Sequence, residues 1–461
     1  MLDRRSFIVI GGAAALSACG GGNPVPFSSG SPAADDGQYG GSTIPDAALE
    51  ATQDALEPSI LDNTFIAVTN ATPSSATRAI LRNLPTVAAQ GTPTMLGDPG
   101  SCIAQSYGYG LGAYTAARTL GGAVKWDASD PNYQPSAAWL YQWQHQVIDK
   151  GSESCPKGSA STPYAQRLVD AGSPNTAQVP YNPDGYSTVT SMCSYIEGID
   201  LGRPWPSEAN LIVGSYKRFL NILNQKSVFL DTFRSLLRHG HAIAFTGLVP
   251  VGYGKIAPAL TNGVYYAPNG FITGSGHGQV IFGFDDAKGK NGAFLVQNSF
   301  GSAWNPGGSD DLGRNGRIWY DYDAFFAGQS CAMIMWPSTV QPVSGILLDP
   351  QFTAAPSGGV PELAVKNVRI VRPAEPGSRG PSRLVVVSHA SNAINIRKLS
   401  VTDPAGKTFS AMMDEHHRVG YTYVERADGA EFMQGNYQLS YDVKREGVPI
   451  TYTGSVPAPL A

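Results

Sequence analysis

Gly270-Phe-Ile-Thr-Gly-Ser-Gly-His277-Gly-Gln-Val-Ile-Phe-Gly-Phe284, a polar loop, and then Phe294-Leu-Val-Gln-Asn298-Ser-Phe-Gly-Ser-Ala-Trp304 hold two apolar runs. Val280–Phe284 and Ala293–Val296 are predicted as strands. Asp285, Asp286, Lys288, Gly289, Lys290, Asn291 and Gly292 separate them and predict a hairpin loop. His277 then stands just before the first strand and Asn298 just after the second. Antiparallel pairing brings those ends together. A histidine beside an asparagine is half of a nucleophilic site, a base with the group that fixes its tautomer and aim.

Working outward, the other half is a nucleophile. Gly100-Ser101-Cys102-Ile103-Ala104-Gln105-Ser106 precedes a predicted helix from Tyr107 to Leu120. Gly108, Gly110 and Gly112 lie inside that helix, each costing about 1 kcal/mol against Ala. A helix that carries them is expected to be buried with close neighbours. Cys102 is placed at its N-terminus, where the dipole favours the reactive thiolate. Locally, a buried inert cysteine fits as well.

Taken together the motifs resemble those of the papain-like cysteine peptidases. Gly-Ser-Cys102-Ile-Ala-Gln-Ser is similar to that family's Gly-Ser-Cys-Trp-Ala-Phe-Ser. Gly-His277-Gly-Gln-Val-Ile-Phe-Gly-Phe resembles its histidine motif, and Asn298-Ser-Phe-Gly-Ser-Ala-Trp304 its Asn-Ser-Trp-Gly-x-x-Trp. Gly316-Arg-Ile-Trp-Tyr320 falls where the family has Gly-Tyr-Ile-x-Ile. Pro135–Tyr141, Val179-Pro-Tyr181 and the unit formed by helix 228–238 and strand 242–249 are weaker echoes. The resemblance spans roughly residues 80–340 and implies an α+β, papain-like two-lobed fold, a helical lobe plus a β-barrel-like lobe. It implies Cys102 as nucleophile, His277 as general base and Asn298 as the group holding His277 through its side-chain oxygen. Trp304 would shield that contact, Ser101 would support the cleft, and the pair would rest as thiolate and imidazolium. Cys155 and Cys193 flank the region where the family carries disulfides and are expected to pair.

Three positions depart from the family pattern. Leu96 stands where a glutamine donates to the oxyanion, Ile103 replaces a tryptophan, and Phe300 replaces another. Gln90-Gly91 resembles the family's Gln-Gly displaced by six residues, which makes Gln90 the candidate oxyanion donor. The resemblance implies peptide-bond cleavage through a thioester on a peptide or protein substrate, with no cofactor and no metal. A catalytically weak or inactive binding protein on the same fold, and an acyl transferase or cell-wall amidase, are the alternatives.

At the start, Arg4-Arg5 resembles a twin-arginine motif and Leu16-Ser-Ala-Cys19 a lipobox, so residues 1–19 are expected to be an export signal with Cys19 lipidated. Gly20 after it leans toward the outer membrane. The apolar run is too short to span a bilayer. An exported lipoprotein at the periplasm or cell surface follows, touching membrane only through its lipid. Residues 20–45 are Gly, Ser, Pro and Ala and predict a flexible tether. Residues 46–60 carry a short helical pattern and Phe65–Val68 a strand pattern; the peptidase domain is expected over 46–342.

The chain has 461 residues, which predicts two or three domains. It is 42% hydrophobic, enough for a core, and its net charge of −4 supplies no basic field for nucleic acid. Oligomeric state is not readable from it. Cys331 is predicted as a buried strand cysteine, His239-Gly-His241 as a capped turn and Glu415-His416-His417 as a solvated turn. Asn305–Gly316 is predicted as a loop beside the cleft without the ligand spacing of a calcium loop. Beyond a Pro/Gly-rich junction, strands at 363–370, 384–387, 394–401, 421–424, 437–443 and 450–452, with a turn at Asp403–Lys407, predict a small all-β immunoglobulin-like sandwich over 350–461.

Overall fold

The structure, a computed structural model, describes residues 76–91, 99–120, 128–148, 155–170, 172–201, 211, 213–254, 257–307, 312–337, 346–347, 349–351, 363–371, 383–390, 395–412, 419–425, 432–445 and 448–458. The predicted signal with Arg4, Arg5 and Cys19, the tether, the helix and strand before residue 70, Leu96, and His416-His417 lie outside them.

The first unit is mixed α+β. Its strands are β1 (Arg78–Ile80), β2 (Val213–Phe219), β3 (Ile243–Pro250), β4 (Val264–Tyr265), β5 (Phe271–Asp285), β6 (Ala293–Gln297), β7 (Arg317–Asp321) and β8 (Gln329–Pro337). They form one sheet in the order β2-β8-β3-β5-β6-β7-β4, with β1 pairing β5 where β3 has ended. Ile243–Phe245, Val280–Phe284 and Ala293–Val296 are apolar and buried, so both faces of the central strands are covered.

The helices are α1 (Gly112–Leu120), α2 (Ala137–Trp143), α3 (Ser161–Asp170), α4 (Val189–Glu197), α5 (Lys226–Arg238) and α6 (Tyr322–Gly328). The sequence marks their starts. Ser136 Oγ accepts from Trp139 N at 3.1 Å, and Thr188 with Ser191 closes a capping box. Phe233, Leu236 and Leu237 give α5 its buried stripe. Among the described residues no helix is long and apolar enough to cross a membrane.

Among the described residues a second unit is built of strands: β9 (Ile346–Leu347), β10 (Asp349–Gln351), β11 (Leu363–Val371), β12 (Arg383–Ala390), β13 (Asn395–Thr402), β14 (Thr408–Met412), β15 (Val419–Glu425), β16 (Gly435–Arg445) and β17 (Val448–Ala458). They form two antiparallel sheets, β10-β17-β16-β13-β14 and β15-β12-β11-β9. One apolar cluster draws on both, with Leu363, Leu384 and Val424 from one sheet and Leu399, Tyr441 and Tyr452 from the other. It shares no residue with the core of the first unit. The turn at Asp403 is made as its residues require, with Asp403 Oδ1 accepting from Ala405 and Lys407 N–H and Gly406 at φ +85°.

Candidate active site

His277 lies inside β5, opposite Gly247 of β3, and not ahead of the strand as its glycine neighbours suggested. Gly274, Gly276 and Gly278 are poor strand formers by themselves. Pairing with β3 overrides that preference, with a register shift between Leu248 and Val249. Asn298 follows β6 directly. The register Val280↔Gln297 sets it beside His277, and its own N–H donates to Gly316 O at 2.9 Å.

The hydrogen bonds fix how this pair is protonated. Ser299 N–H donates to Asn298 Oδ1 at 2.8 Å, and a backbone N–H can only donate, so the amide orientation is settled. His277 Nε2 stands 2.7 Å from the same oxygen. An amide oxygen only accepts, so Nε2 carries a proton. Nδ1 is buried without a hydrogen-bond partner, as is Asn298 Nδ2. Burial pushes the His277 pKa down from 6.5 to about 4, and the bond to Asn298 raises it only partly. Burial thus works against the imidazolium expected from sequence. A cation in so dry a place loses more hydration than one neutral amide returns.

Phe300 covers the His277 ring, stacked at 4.7 Å. Trp304, expected in that place, stands one ring further back. It meets Phe300 edge-on at 6.1 Å and donates from Nε1 to Tyr253 O at 2.9 Å.

The cysteine side is a helix that starts at Cys102, earlier than the predicted Tyr107. Ser101 O accepts from Gln105 N at 2.9 Å, and residues Ala104–Leu111 form a π-helical stretch that runs into α1. Cys102 is wholly buried at the positive end of this helix. Two glycines let it press on the sheet. A Cβ at Gly278 would stand 3.4 Å from Cys102 O, 2.8 Å from Ile103 Cδ1 and 2.5 Å from Ser106 Oγ. At Gly110 a Cβ would come within 2.9 Å of Val280 Cγ2. The residue after His277 thus abuts the turn that carries Cys102.

Gln90 is buried in a loop that bridges to Phe300 through Ala89. Its N–H donates to Ser299 O at 2.8 Å, and Ser299 Oγ donates to its Oε1 at 3.3 Å. Gln90 Nε2 is buried with no partner. Ser101 Oγ lies 2.7 Å from Tyr181 OH, which donates to Gln90 O at 2.9 Å.

Cys155 and Cys193 form a disulfide. Residues 155–157 face the loop before Cys102: Cys155 Sγ lies 3.7 Å from Pro99 O, and a Cβ at Gly100 would stand 2.7 Å from Lys157 O. Tyr141 OH is shared between the carbonyls of Pro99 and Lys157. Cys331 is buried in β8, 3.9 Å from Tyr107 OH. His239 sits at the C-cap of α5, its Nδ1 2.8 Å from Ser235 O. Among the described residues no group of three or more His, Cys, Asp or Glu is placed to hold a metal.

Tyr181, Ser299 and Phe300 belong to this site although sequence reasoning gave none of them a role. Ser299 and Phe300 were signalled by adjacency to Asn298. Tyr181 had no signal beyond its weak Val-Pro-Tyr echo, since its partners lie 80 and 91 residues away.

No family model and no curated protein matches the sequence. Among solved structures its neighbours are papain-like cysteine proteases. Xylellain, a cysteine protease from Xylella fastidiosa, is 17% identical, covering 61% of this chain and 95% of its own, at a TM-score of 0.41. Procathepsin B S9 from Trypanosoma congolense is 13% identical over 62% of this chain and 85% of its own, at 0.39. Bromelain from Ananas comosus, solved with the E64 inhibitor, is 14% identical over 57% of this chain and all of its own, at 0.37. At that distance the likeness assigns no role to any residue of this chain.

Proposed function

We propose that the chain is a cysteine peptidase that cleaves peptide bonds through Cys102, His277 and Asn298. The observation that carries the reading is the buried His277, whose Nε2 is committed to Asn298 at 2.7 Å while Nδ1 is left without a hydrogen-bond partner. A base so prepared, with a helix-terminal cysteine on the abutting turn, suits thiol activation.

In this mechanism Nδ1 takes the Cys102 proton as sulfur bonds to the scissile carbonyl carbon. Negative charge moves to the carbonyl oxygen, where the Gln90 amide donates. The intermediate collapses, the C–N bond breaks and the amine leaves with the proton from His277. Water, losing a proton to His277, then attacks the thioester; the acid is released and the sulfur regains its proton. A peptide or protein is the substrate, and no cofactor takes part.

A two-lobed papain-like arrangement is supported by a helix bearing Cys102 packed against a sheet bearing His277. An immunoglobulin-like C-terminal sandwich is supported by strand order: β17-β16-β13-β14 faces β11-β12-β15, the partition of such sandwiches into G-F-C-C′ and A-B-E. For the N-terminus we keep the lipoprotein reading of Cys19, with export to the periplasm or cell surface; loss of radiolabelled palmitate from Cys19→Ala in cells tests it.

The peptidase reading is tested with a pool of fluorescence-quenched peptides and an epoxide thiol label. Wild type should cleave and be labelled, and Cys102→Ala should do neither. Equal behaviour of the two sinks the reading. Complete burial of Cys102 favours a second reading, a binding protein that does not hydrolyse; labelling of Cys102 by the epoxide counts against it.

A further inference from the structure

We propose that Tyr181 is a positioning residue: its hydroxyl holds Gln90 and the Ser101–Cys102 turn at a fixed separation, so that an oxyanion formed at Cys102 meets the Gln90 amide. The inference rests on the peptidase reading above.

Gln90 and Ser101 are both fully buried. The Tyr181 hydroxyl bonds to both. A carbonyl can only accept, so Tyr181 O–H donates to Gln90 O at 2.9 Å. The phenol has no second proton, so Ser101 O–H donates to the phenol oxygen at 2.7 Å. Gln90 is pinned from its other side by Ser299, whose carbonyl accepts from Gln90 N–H and whose hydroxyl donates to Oε1. A path of hydrogen bonds therefore runs from Asn298-Ser299 through Gln90 and Tyr181 to Ser101-Cys102. It leaves Gln90 Nε2 as the group without a partner.

Tyr181 is itself anchored. Pro180 O accepts from Tyr195 OH at 2.6 Å, and Val179 O accepts from Ser136 Oγ at 2.6 Å, which fastens the segment to α4 and to the start of α2. A donor displaced by a fraction of an ångström loses much of its worth to a transition state, because its benefit depends on preorganisation.

The test is Tyr181→Phe in the full chain, read three ways. Hydrolysis uses the best-cleaved peptide of the quenched pool. N-acetyl-phenylalanylglycinal reports on an oxyanion: sulfur adds to the aldehyde carbon, and the oxygen passes through negative charge before taking the thiol proton. Iodoacetamide does not: sulfur bonds to carbon, iodide leaves and the thiol proton passes to the base. We expect kcat to fall about 10–100-fold with KM within about twofold, and aldehyde affinity to fall by a similar factor. The alkylation rate and its pH profile stay at the wild-type value.

Unchanged kcat in Tyr181→Phe overturns the proposal. So does equal loss of alkylation and hydrolysis, which means that the hydroxyl merely holds the turn folded. If Tyr181→Phe does not fold, Ser101→Ala cuts the same link from its other end and must give the same split. Wild type that is alkylated but cleaves no peptide and binds no aldehyde overturns the peptidase reading itself.

Discussion

The β5–β6 hairpin and the C-terminal sheets are both antiparallel, and they bury opposite things. The hairpin and its continuation bury His277, Gln279, Gln297, Asn298 and Ser299. In the second unit Asp403 is the buried polar residue among the described ones, and it serves its own turn. Val365, Val386, Val401, Leu439 and Val456 fill the space between those sheets. Burying a polar group costs free energy unless it is bonded, so a fold keeps such groups where they act. The contrast separates a hairpin that buries polar groups from sheets that bury apolar ones.

Breaking the contrast most sharply, His277→Ala should lower turnover by about 10³-fold or more, since it removes the proposed base. Measured kcat within tenfold of wild type would deny the hairpin its role. Next comes Leu399→Ala in the other unit. It should cost roughly 2–5 kcal/mol of that unit's stability by leaving a cavity, with hydrolysis at 25 °C unchanged. Calorimetry with a parallel rate assay checks this; a matching loss of activity would mean that the two cores are not independent.

Acid should expose the hairpin's cost. The unfolded chain binds a proton on His277 near pH 6.5 that the folded chain refuses until about pH 4. Folded stability is thus intact above pH 6.5 and drops between 6.5 and 4, by roughly 3 kcal/mol from this residue. Denaturant titrations of wild type and His277→Gln between pH 7 and 4 should diverge by that amount. The smallest effect is expected from Gly110→Ala, about 1–3 kcal/mol, because the new methyl meets Val280 Cγ2. Val280→Ala in the same chain should return most of it.

Much of this was legible in the sequence for local reasons. The β5–β6 hairpin, α5 and most C-terminal strands announce themselves by period and turn residues. The three glycines of the Cys102 helix were readable as close packing because a glycine there has no other benefit. What escaped depends on distant partners. His277 lies within β5 only because β3 pairs with a glycine-rich run. Phe300, not Trp304, covers the imidazole because Asn298 and Phe300 follow one another on a bridged loop. β14, Thr408-Phe-Ser-Ala-Met412, hides because it is mostly small and polar and takes its shape from β13. Gln90 could be suspected from its motif, but its fixed amide needed Ser299 and Tyr181, neither of them near in sequence.

The wall behind the Pro99-Gly100 loop gives the solution chemistry a twist. Residues 155–157 are tied to α4 by the Cys155–Cys193 bond, which closes a 38-residue separation and by loop entropy restrains the unfolded chain by about 4 kcal/mol. A thiol reagent added to keep Cys102 in its working state also attacks that bond. On the proposed mechanism, activity should therefore rise and then fall as reductant increases, because a bare Cys102 sulfur and a closed Cys155–Cys193 bond make opposite demands on the surroundings.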